Sequence, residues 1–518
     1  MKKNKILVFI LVIVFALAFL LRFRFFLGGD FLLLLDQSRD LLLASDIVST
    51  HKIPLIGARS GLGGVFHGPL WIFMIMPLFL ITNGNPFLTL VPLFLLVSMA
   101  IVLIGFFIGK NLYGLKFGII FSFFLATSSS LVNIVPYTTN AQVMPFVYLL
   151  FLFTIFKFLR GNDKFLVWSV FLIGIGIHFE VAFAVMLFPL TILALVLRWK
   201  MPSIKFFILS LGAFILSIST YILFELRHHF LMTTSVLKLL SGKVGPGKGY
   251  EKYLNLQFRI EDRAVNLKNS FLDSFYVPNY WLFILMTAII LLALFIFVRE
   301  VRKKKMDKEW LFLLLTPIII FSLYVFYNQP LWAHYILPIS ISSIFFFALS
   351  LEKIFAFKIG KGLALLFIAI ISLFSFSNVY SSYSNMKPYY SNSDGSYKNQ
   401  KGVVDWVFKD AGNKKFGYFV YNPQVLTYNM DYLFNWIGKS KTESKFSNKK
   451  EKINYLIMYS PPVGDLSAHD FWKKNVVRTN GKVIESRSFK GDIVVQKIET
   501  GNNEGVVDPN YYQGILFR

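Results

Sequence analysis

Residues 6–27 have the sequence ILVFILVIVFALAFLLRFRFFL, and residues 36–40, a short way beyond them, have the sequence DQSRD. The first stretch is long enough to cross a bilayer, whose hydrocarbon core needs about 20 apolar residues in a helix. The second places two carboxylates and a guanidinium at the membrane boundary, where ionisable groups are costly and tend to be functional. The sequence therefore predicts a membrane-embedded scaffold that presents an acidic loop at the lipid surface.

The composition of the whole chain is that of a polytopic membrane protein. Of its 518 residues, 55% are hydrophobic and 58 are phenylalanine. The net charge is +25, but the cations lie in short gaps between apolar stretches and not in one patch, so nucleic-acid binding is not expected. The chain has no cysteine, which excludes disulfides, thiol catalysis and thiolate metal ligands.

About eleven apolar stretches are predicted to span the membrane as helices, which makes the fold mainly α. They lie near residues 6–27, 86–109, 117–134, 142–158, 165–178, 181–198, 204–224, 279–298, 310–327, 332–350 and 361–380. Every second gap is rich in Lys and Arg, whereas the short gaps around residues 135–141, 178–181 and 328–333 have neither. Because positively charged loops stay in the cytoplasm, the chain is predicted to be a multi-pass protein of the plasma membrane, with a cytoplasmic N-terminus.

Residues 69–82 are also strongly apolar, but they are predicted to lie along the outer membrane surface. A further span here would move every later basic gap to the outside. The stretch has only 14 residues, about 21 Å as a helix, with Pro77 in its middle. Residues 28–85 are therefore predicted to form one external loop with two interfacial helices.

The chain is predicted to divide into a transmembrane domain, residues 1–380, in which residues 28–85 are the external catalytic loop, and a small extracytoplasmic α/β domain, residues 381–518. In the tail, strands are expected near residues 415–421, 452–459 and 492–498, helices near 401–410 and 425–437, and a solvated linker at 440–450. A second external segment, residues 225–277, contains the glycine-rich residues 242–249, which form either a mobile lid or a linker.

The acidic loop carries the candidates for catalysis. If residues 35–50 form a helix, Asp36, Arg39 and Asp40 share one face through their i, i+3 and i, i+4 spacing. Two close carboxylates repel, so that one holds a proton more readily, while Arg39 draws the other towards ionisation. Asp36 and Asp40 are thus suited to general acid–base catalysis. The alternative is an ordinary salt bridge on a solvated helix.

Candidates for substrate binding lie at the predicted outward ends of the spans. The glycine-rich residues 57–69 contain Arg59 and His67, and their free backbone amides could hold a phosphate; alternatively, they form a flexible entry into the next helix. The other candidates, far apart in sequence but on the same predicted membrane face, are Asn140, His178, Glu180, His334 and Tyr335. Capping or packing is the alternative role for these residues. A transporter would place such groups near the midplane, so their distribution favours an outward-facing reaction chamber.

The order of these motifs resembles the large clan C of glycosyltransferases, the GT-C clan, and in particular its protein O-mannosyltransferase and lipid A aminoarabinose transferase group. The matching pieces are a first span, DQSRD at residues 36–40, GGVFHGPL at 63–70 and GNP at 84–86. Further matches are GKNLYG at residues 109–114, HYILP at 334–338 and YNMDYLFNW at 428–436. The resemblance covers most of the membrane part of the chain.

The resemblance implies a GT-C-type helical bundle that transfers a sugar from a polyprenyl-phosphate carrier to an acceptor hydroxyl on the outer face of the membrane. It implies that Asp36 acts as base or orients the acceptor. As base, Asp36 would take the proton of the attacking hydroxyl with inversion at the sugar carbon, and cations such as Arg39, Arg59 and His67 would stabilise the departing lipid phosphate. Many relatives have Lys where this chain has His67, and some have an acidic residue where it has Asn140. No metal ligand is therefore assigned, and a divalent metal stays an open alternative.

The expected partners are the polyprenyl-phosphate sugar, membrane lipid and an acceptor that is a lipid, a glycan or a protein. Two alternative functions use lipid-linked saccharides as well. A transporter or flippase would need polar groups along a path through the spans, and the sequence supplies few. A polysaccharide polymerase would carry basic residues on large loops between later spans, and residues 225–277 keep that alternative open.

Overall fold

The computed structural model describes residues 2–60, 63–241, 249–275, 280–303, 307–385, 388–423, 426–439, 446–462, 465, 467–501, 504–509 and 511. Two compact units are formed, each from separate stretches of the chain. The helical unit consists of Met1–Arg24, Pro54–Trp71 and Phe94–Asn385. The loop–tail unit consists of Phe25–Ile53, Ile72–Leu93 and Met386–Arg518.

Helices make up most of the described chain. From the N-terminus to the glycine-rich segment they are α1 Lys2–Phe23, α2 Leu35–Thr50, α3 Leu70–Ile81, α4 Pro86–Tyr113, α5 Leu115–Thr127, α6 Ser129–Asn133, α7 Met144–Leu159, α8 Lys164–Phe179, α9 Val181–Ala184, α10 Leu187–Arg198, α11 Ile204–Ser217, α12 Ser219–Arg227 and α13 Leu231–Leu240. Beyond it they are α14 Leu256–Asp273, α15 Tyr280–Arg302, α16 Lys308–Phe326, α17 Ala333–Ile336, α18 Ile339–Ile354, α19 Lys358–Asn385, α20 Tyr397–Ala411, α21 Tyr428–Lys439 and α22 Ala468–Trp472.

Eight helical stretches of the described chain are long and apolar enough to cross a membrane. They contain α1, α4, α7, α10, α15, α16, α18 and α19, and the bent pair α11–α12 makes a ninth if it is one span. The shorter apolar helices are α3, α5 and α8. Every span predicted from the sequence overlaps one of these helices. The multi-pass helical architecture is thus confirmed, and the number of eleven crossings stays a prediction.

The centre of the helical unit is formed by α7 and α18, which are buried on nearly all sides. The side chains of Tyr148, Phe151 and Ile155 on α7 are fully buried, as is Phe345 on α18. A helix that is apolar all round belongs in an interior, and small residues let such helices approach closely. The hydroxyls of Tyr148 and Ser342 lie 2.5 Å apart and join the two helices.

The basic gaps between helices are gathered at one end of the helical unit. Arg160, which follows α7, donates from Nε to Glu309 Oε1 at 2.5 Å and from Nη1 to the carbonyl of Leu112 at 2.9 Å. Lys353, at the end of α18, lies 3.1 Å from Asp307 Oδ2. The gaps that the charge pattern assigns to the same membrane side are therefore neighbours in the folded unit.

The tail forms a five-stranded mixed sheet with the order β2-β1-β3-β5-β4. Its strands are β1 Phe416–Tyr421, β2 Phe446–Ser447, β3 Ile453–Met458, β4 Lys482–Phe489 and β5 Ile493–Glu499. β1 pairs in parallel with β2 and β3, and β5 pairs antiparallel with β3 and β4. The predicted α/β composition is confirmed, with β1, β3, β5, α20 and α21 close to their expected positions.

Two strands were not foreseen. β4 is exposed along almost its whole length, so it lacks the alternation of buried and exposed residues that marks a strand. β2 has only two residues and falls in the stretch predicted to be a polar linker, so that prediction is wrong at Phe446, whose ring packs against Phe408 and Phe434. The rest of the linker, residues 440–445, lies outside the described residues, as does the glycine-rich segment except for Gly249.

The external loop and the tail are joined by backbone hydrogen bonds within the loop–tail unit. The amide of Leu33 donates to the carbonyl of Gly395 at 2.8 Å, and the amide of Tyr397 donates to the carbonyl of Phe31 at 2.9 Å. Leu32 and Ser396 form an antiparallel bridge between them. The boundary at residue 380 stays a prediction, while the contacts group the acidic helix α2 with the tail.

Asp431 makes the stability of the loop–tail unit depend on pH. Its buried carboxylate accepts hydrogen bonds from Tyr418 Oη at 3.0 Å and Thr427 Oγ1 at 2.7 Å, yet burial outweighs these bonds and raises the pKa of Asp431 to about 7. Between pH 4 and 7 the folded protein then keeps a proton that the unfolded chain releases. The contribution of this retained proton to the free energy of unfolding is fully present below pH 4 and is lost as the pH rises to about 7.

We expect Asp431→Asn to remove this pH dependence, which is on the order of 4 kcal/mol because one pKa unit corresponds to about 1.4 kcal/mol. The change in stability with pH is measured by thermal unfolding of the detergent-purified protein between pH 4 and 8. Asp470→Asn is the matched control, since the Asp470 side chain is 86% exposed. An unchanged pH profile in Asp431→Asn would contradict the assignment.

Candidate functional site

The acidic helix α2 forms over the residues expected of it. It begins at Leu35, so that Asp36 lies in its first turn, where the helix dipole favours negative charge. It ends at Thr50, before His51 turns the chain with a φ of 54°. Leu41 and Ala44 are fully buried, which fixes the face that packs inside the loop–tail unit. Asp36 is turned to the solvent, with 62% of its side chain exposed.

One guanidinium holds both carboxylates of this helix. Arg39 Nη1 donates to Asp36 Oδ1 at 2.7 Å, while Nε and Nη2 donate to Asp40 Oδ1 at 3.0 and 2.8 Å. Burial alone would lower the pKa of Arg39, but the carboxylates of Asp40 and Asp36 outweigh it and raise that pKa above its ordinary value. Asp40 is only 1% exposed. The exposed Asp36 can meet a substrate, and the buried Asp40 holds the arginine.

Asp30, which sequence reasoning missed, anchors the segment that leads into this helix. Its carboxylate accepts hydrogen bonds from the amides of Phe31 and Lys398 at 2.9 and 3.1 Å and from Ser396 Oγ at 2.7 Å. Asp30 is 1% exposed. It is thus the N-terminal anchor of α20 as well as part of the external loop. The sequence signal that could have identified Asp30 is an acidic residue that follows two glycines and precedes an apolar run.

The glycine-rich residues 57–69 belong to the helical unit and form a narrow antiparallel turn. The amides of Gly57 and Ser60 donate to the carbonyls of His67 and Val65 at 2.8 and 2.9 Å, and the amide of His67 donates to the carbonyl of Ala58 at 2.8 Å. These three amides are therefore occupied, and phosphate binding by other amides of the stretch stays a prediction. The exposed guanidinium of Arg59 and the half-buried ring of His67 remain on this turn.

His178 packs against the same turn and has the packing role that was the alternative for it. Its carbonyl accepts from the amide of Gly68 at 3.1 Å, and a Cβ at Gly68 would lie 1.9 Å from His178 Nδ1. His178 Nε2 lies 2.8 Å from the carbonyl of Ser217, to which it donates. The ring also contacts Tyr221, with 5.0 Å between the ring centroids. Position 68 consequently needs glycine.

Glu180 is the centre of a second polar cluster in the helical unit. Its Oε1 accepts from the amide of Ala182 at 3.1 Å and its Oε2 lies 3.7 Å from His334 Nε2. Glu180 is 3% exposed, and burial raises its pKa to about 7, although the hydrogen bond from Ala182 opposes this shift. Asn140 Nδ2 donates to the carbonyl of Phe179 at 2.6 Å. Asn140 thus bonds the backbone next to Glu180, and Glu180 lies near His334, while their role in binding stays a prediction.

Tyrosines and one arginine complete this cluster. Tyr335, a predicted site residue, interacts electrostatically with Glu180, as does Tyr327. Arg263, 2% exposed on α14, donates from Nη2 to the carbonyls of Tyr327 and Gln329 at 3.1 and 2.6 Å. Arg263 and Tyr327 were not among the site residues predicted from the sequence. The sequence signal for Arg263 is its position on the apolar face of an amphipathic helix in the segment 225–277.

The described residues contain no group of three or more His, Asp or Glu side chains that could hold a metal ion. Glu180 and His334 supply two donors, which is fewer than the metal sites of proteins normally use. Neither of the two polar clusters therefore offers a metal-ligand set.

The comparisons with known proteins concern the fold. No family model matches the chain, and no curated protein matches it. The structure of ArnT from Cupriavidus metallidurans in the apo state matches with a TM-score of 0.61 at 8% identity, over 96% of this chain and 98% of that one. ArnT bound to undecaprenyl phosphate gives 0.58 at 9% identity, with the same coverage.

The apo oligosaccharyltransferase of Archaeoglobus fulgidus matches with a TM-score of 0.50 at 12% identity, over 87% of this chain and 69% of that chain. At such identities the likeness concerns the fold alone. The GT-C-type fold that the sequence motifs predicted is thereby confirmed.

Proposed function

We propose that this chain, which has the GT-C-type fold, is a membrane glycosyltransferase with a polyprenyl-phosphate sugar as donor and a hydroxyl as acceptor. The observation that carries the proposal is the pair of carboxylates on α2, one exposed and one buried, held by a single arginine. That arrangement gives an accessible carboxylate in a fixed orientation, which is what a general base requires.

In the proposed reaction Asp36 takes the proton of the acceptor hydroxyl while the hydroxyl oxygen attacks the anomeric carbon of the sugar. The bond from that carbon to the phosphate oxygen breaks, and its electron pair leaves with the lipid phosphate. Attack opposite the leaving group inverts the sugar carbon. Arg59, whose guanidinium is exposed, and His67 are proposed to neutralise the phosphate. Arg39 and Asp40 are positioning residues, because Arg39 is already engaged by both carboxylates.

Asn140, Glu180, His334 and Tyr335 are proposed to contact the sugar part of a substrate. Their cluster combines an amide, a carboxylate, an imidazole and a phenol, which supply the donors and acceptors that sugar hydroxyls need. His178 is proposed to support this role by packing. The ArnT structure with bound undecaprenyl phosphate supports a polyprenyl-phosphate donor, since the chain shares that protein's fold along nearly its whole length.

The proposed topology places the N-terminus in the cytoplasm and α2 and the tail outside it, in the plasma membrane. Its support is the charge pattern together with the contacts that gather the basic gaps at one end of the helical unit. A donor that arrives with its lipid tails in the bilayer needs no soluble nucleotide. Such a donor would be met at the membrane surface, which is where an acidic loop directly after the first span is proposed to lie.

The proposal is tested with the purified protein in lipid nanodiscs and a panel of radiolabelled polyprenyl-phosphate hexoses and pentoses. We expect one member of the panel to release free polyprenyl phosphate, with transfer of the sugar to a membrane-extract acceptor and inversion at the sugar carbon. Heat-inactivated protein is the control. Donor movement across a liposome bilayer without any cleavage would overturn the proposal in favour of a flippase.

A further inference from the structure

The loop–tail unit contains an open cavity of about 570 Å³ bordered by α2, α3, α20 and α21. Small-molecule sites occupy about 300–1,000 Å³, so the cavity is of the size that holds a ligand. None of the residues to which the proposed function assigns a role lines it. We propose that this cavity, termed the tail cavity, is a binding site for a short neutral saccharide.

The aromatic wall of the tail cavity is held in one orientation by the turn between α3 and α4. Trp436 Nε1 donates to the carbonyl of Asn83 at 3.0 Å, and Tyr432 Oη donates to the carbonyl of Gly84 at 2.5 Å. Gly84 has a φ of 72°, and a Cβ there would lie 2.9 Å from Tyr432 Oη. Since the indole N–H is already used, what Trp436 offers a ligand is the face of its ring.

The rim of the tail cavity is polar and nearly balanced in charge. Lys401 Nζ lies 2.5 Å from Asp405 Oδ2, and both side chains are partly exposed. Lys439 Nζ donates to Ser45 Oγ at 3.1 Å. Asn435, next to Trp436, is exposed. The rim thus offers an amide, a carboxylate and two ammonium groups, which include both donors and acceptors of hydrogen bonds.

A saccharide fits this combination better than the other classes of ligand. A sugar ring has an apolar C–H face that packs on an aromatic ring, and hydroxyls at its edge that need donors and acceptors together. An acyl chain would leave the amide and charged groups of the rim against apolar surface, which is costly. For a phosphate, the ammonium of Lys401 is already engaged by the carboxylate of Asp405, which also repels an anion, so that Lys439 is the cation left on the rim to bind it.

The role of the site within the reaction rests on the proposed function. If the protein transfers a sugar, the tail cavity binds the glycan part of the acceptor, and thereby selects which hydroxyl-bearing molecule is used. Binding of a saccharide as such follows from the cavity alone and does not depend on that reaction.

The test is saturation-transfer NMR on the whole protein in nanodiscs, with the methyl glycosides of glucose, galactose, mannose and N-acetylglucosamine as probes. We expect at least one glycoside to receive saturation on its ring C–H protons. Trp436→Ala should weaken its binding by about tenfold or more, because an aromatic contact and its buried area are lost. Asn435→Ala, on the exposed rim, should weaken it by about three- to tenfold.

The matched control is Trp281→Ala, which removes an exposed tryptophan of the helical unit. Trp436→Phe keeps an aromatic face and should bind with intermediate affinity, which separates loss of the contact from loss of folding. The inference is overturned if no glycoside binds, or if binding is the same in Trp436→Ala and in the wild type.

Cleavage of the polyprenyl-phosphate donor is measured on the same samples with the membrane-extract acceptor in excess, because the reaction needs its hydroxyl. Donor cleavage without Trp436-dependent saccharide binding would refute the site and leave the proposed function standing. Trp436-dependent binding without donor cleavage would refute the proposed function and leave the saccharide site standing. Full donor cleavage by Trp436→Ala together with weakened saccharide binding is the expected result.

Discussion

We expect Asp36→Asn to lower the rate of the proposed sugar transfer by about 10²- to 10⁴-fold, the amount that a general base contributes to a reaction. Asparagine has nearly the shape of aspartate, and its oxygen can still accept the hydrogen bond that Arg39 Nη1 makes at 2.7 Å. The variant therefore keeps the geometry of α2 and loses only the ability to take a proton. Release of polyprenyl phosphate from the radiolabelled donor measures the rate.

The stability of Asp36→Asn should stay within about 1 kcal/mol of the wild type, because Asp36 is 62% exposed and exposed ion pairs contribute little. Asp46→Asn, on the same helix, is the control that makes the same change of charge and should keep near-normal activity. Normal turnover by Asp36→Asn would refute its assignment as the base.

Arg39→Met destabilises the loop–tail unit by about 3–5 kcal/mol, because it leaves the buried carboxylate of Asp40 without the cation that compensates it. Arg39 makes two hydrogen bonds to Asp40, at 2.8 and 3.0 Å, and Asp40 is 1% exposed. The same change releases Asp36 from its fixed orientation. We expect a thermal transition lower by on the order of 10 °C, together with reduced transfer.

A second substitution separates the charge effect from loss of packing. In Arg39→Met with Asp40→Asn the buried charge is gone, so most of the lost stability should return, although transfer stays low because Asp36 is no longer held. Thermal unfolding of the two single variants and the double variant gives the coupling between the residues. Equal stability of Arg39→Met and the double variant would show that Asp40 does not need the arginine.

The sequence predicted the membrane-spanning helices well, because the thickness of the bilayer sets the minimum length of such a helix. A span needs about 20 apolar residues, so runs such as residues 86–109 and 361–380 were visible without any tertiary information. The helix α2 was visible for a different reason. Asp36 and Arg39 are neighbours on a helix through their i, i+3 spacing, and the structure has that ion pair.

The parts that were missed depend on contacts between residues far apart in the sequence. Asp30 has its role only because Ser396 and Lys398 come to its carboxylate. The amides of Gly57, Ser60 and His67 looked available because a glycine-rich stretch does not reveal that its two ends pair with each other. Gly68 and His178 could not be recognised as packing partners, since Gly68 lies in a loop and His178 lies at the end of an apolar helix far along the chain.

The joining of the external loop to the tail has a consequence for synthesis on the ribosome. Asp30 is made 366 residues before Ser396, its hydrogen-bond partner. At about 5–20 residues per second, α2 is therefore made roughly 20–70 s before α20 exists to dock against the segment that leads into it. Until then Asp30 lacks the partners that hold it in the folded protein, so the segment before α2 reaches its final structure only after the tail has been synthesised.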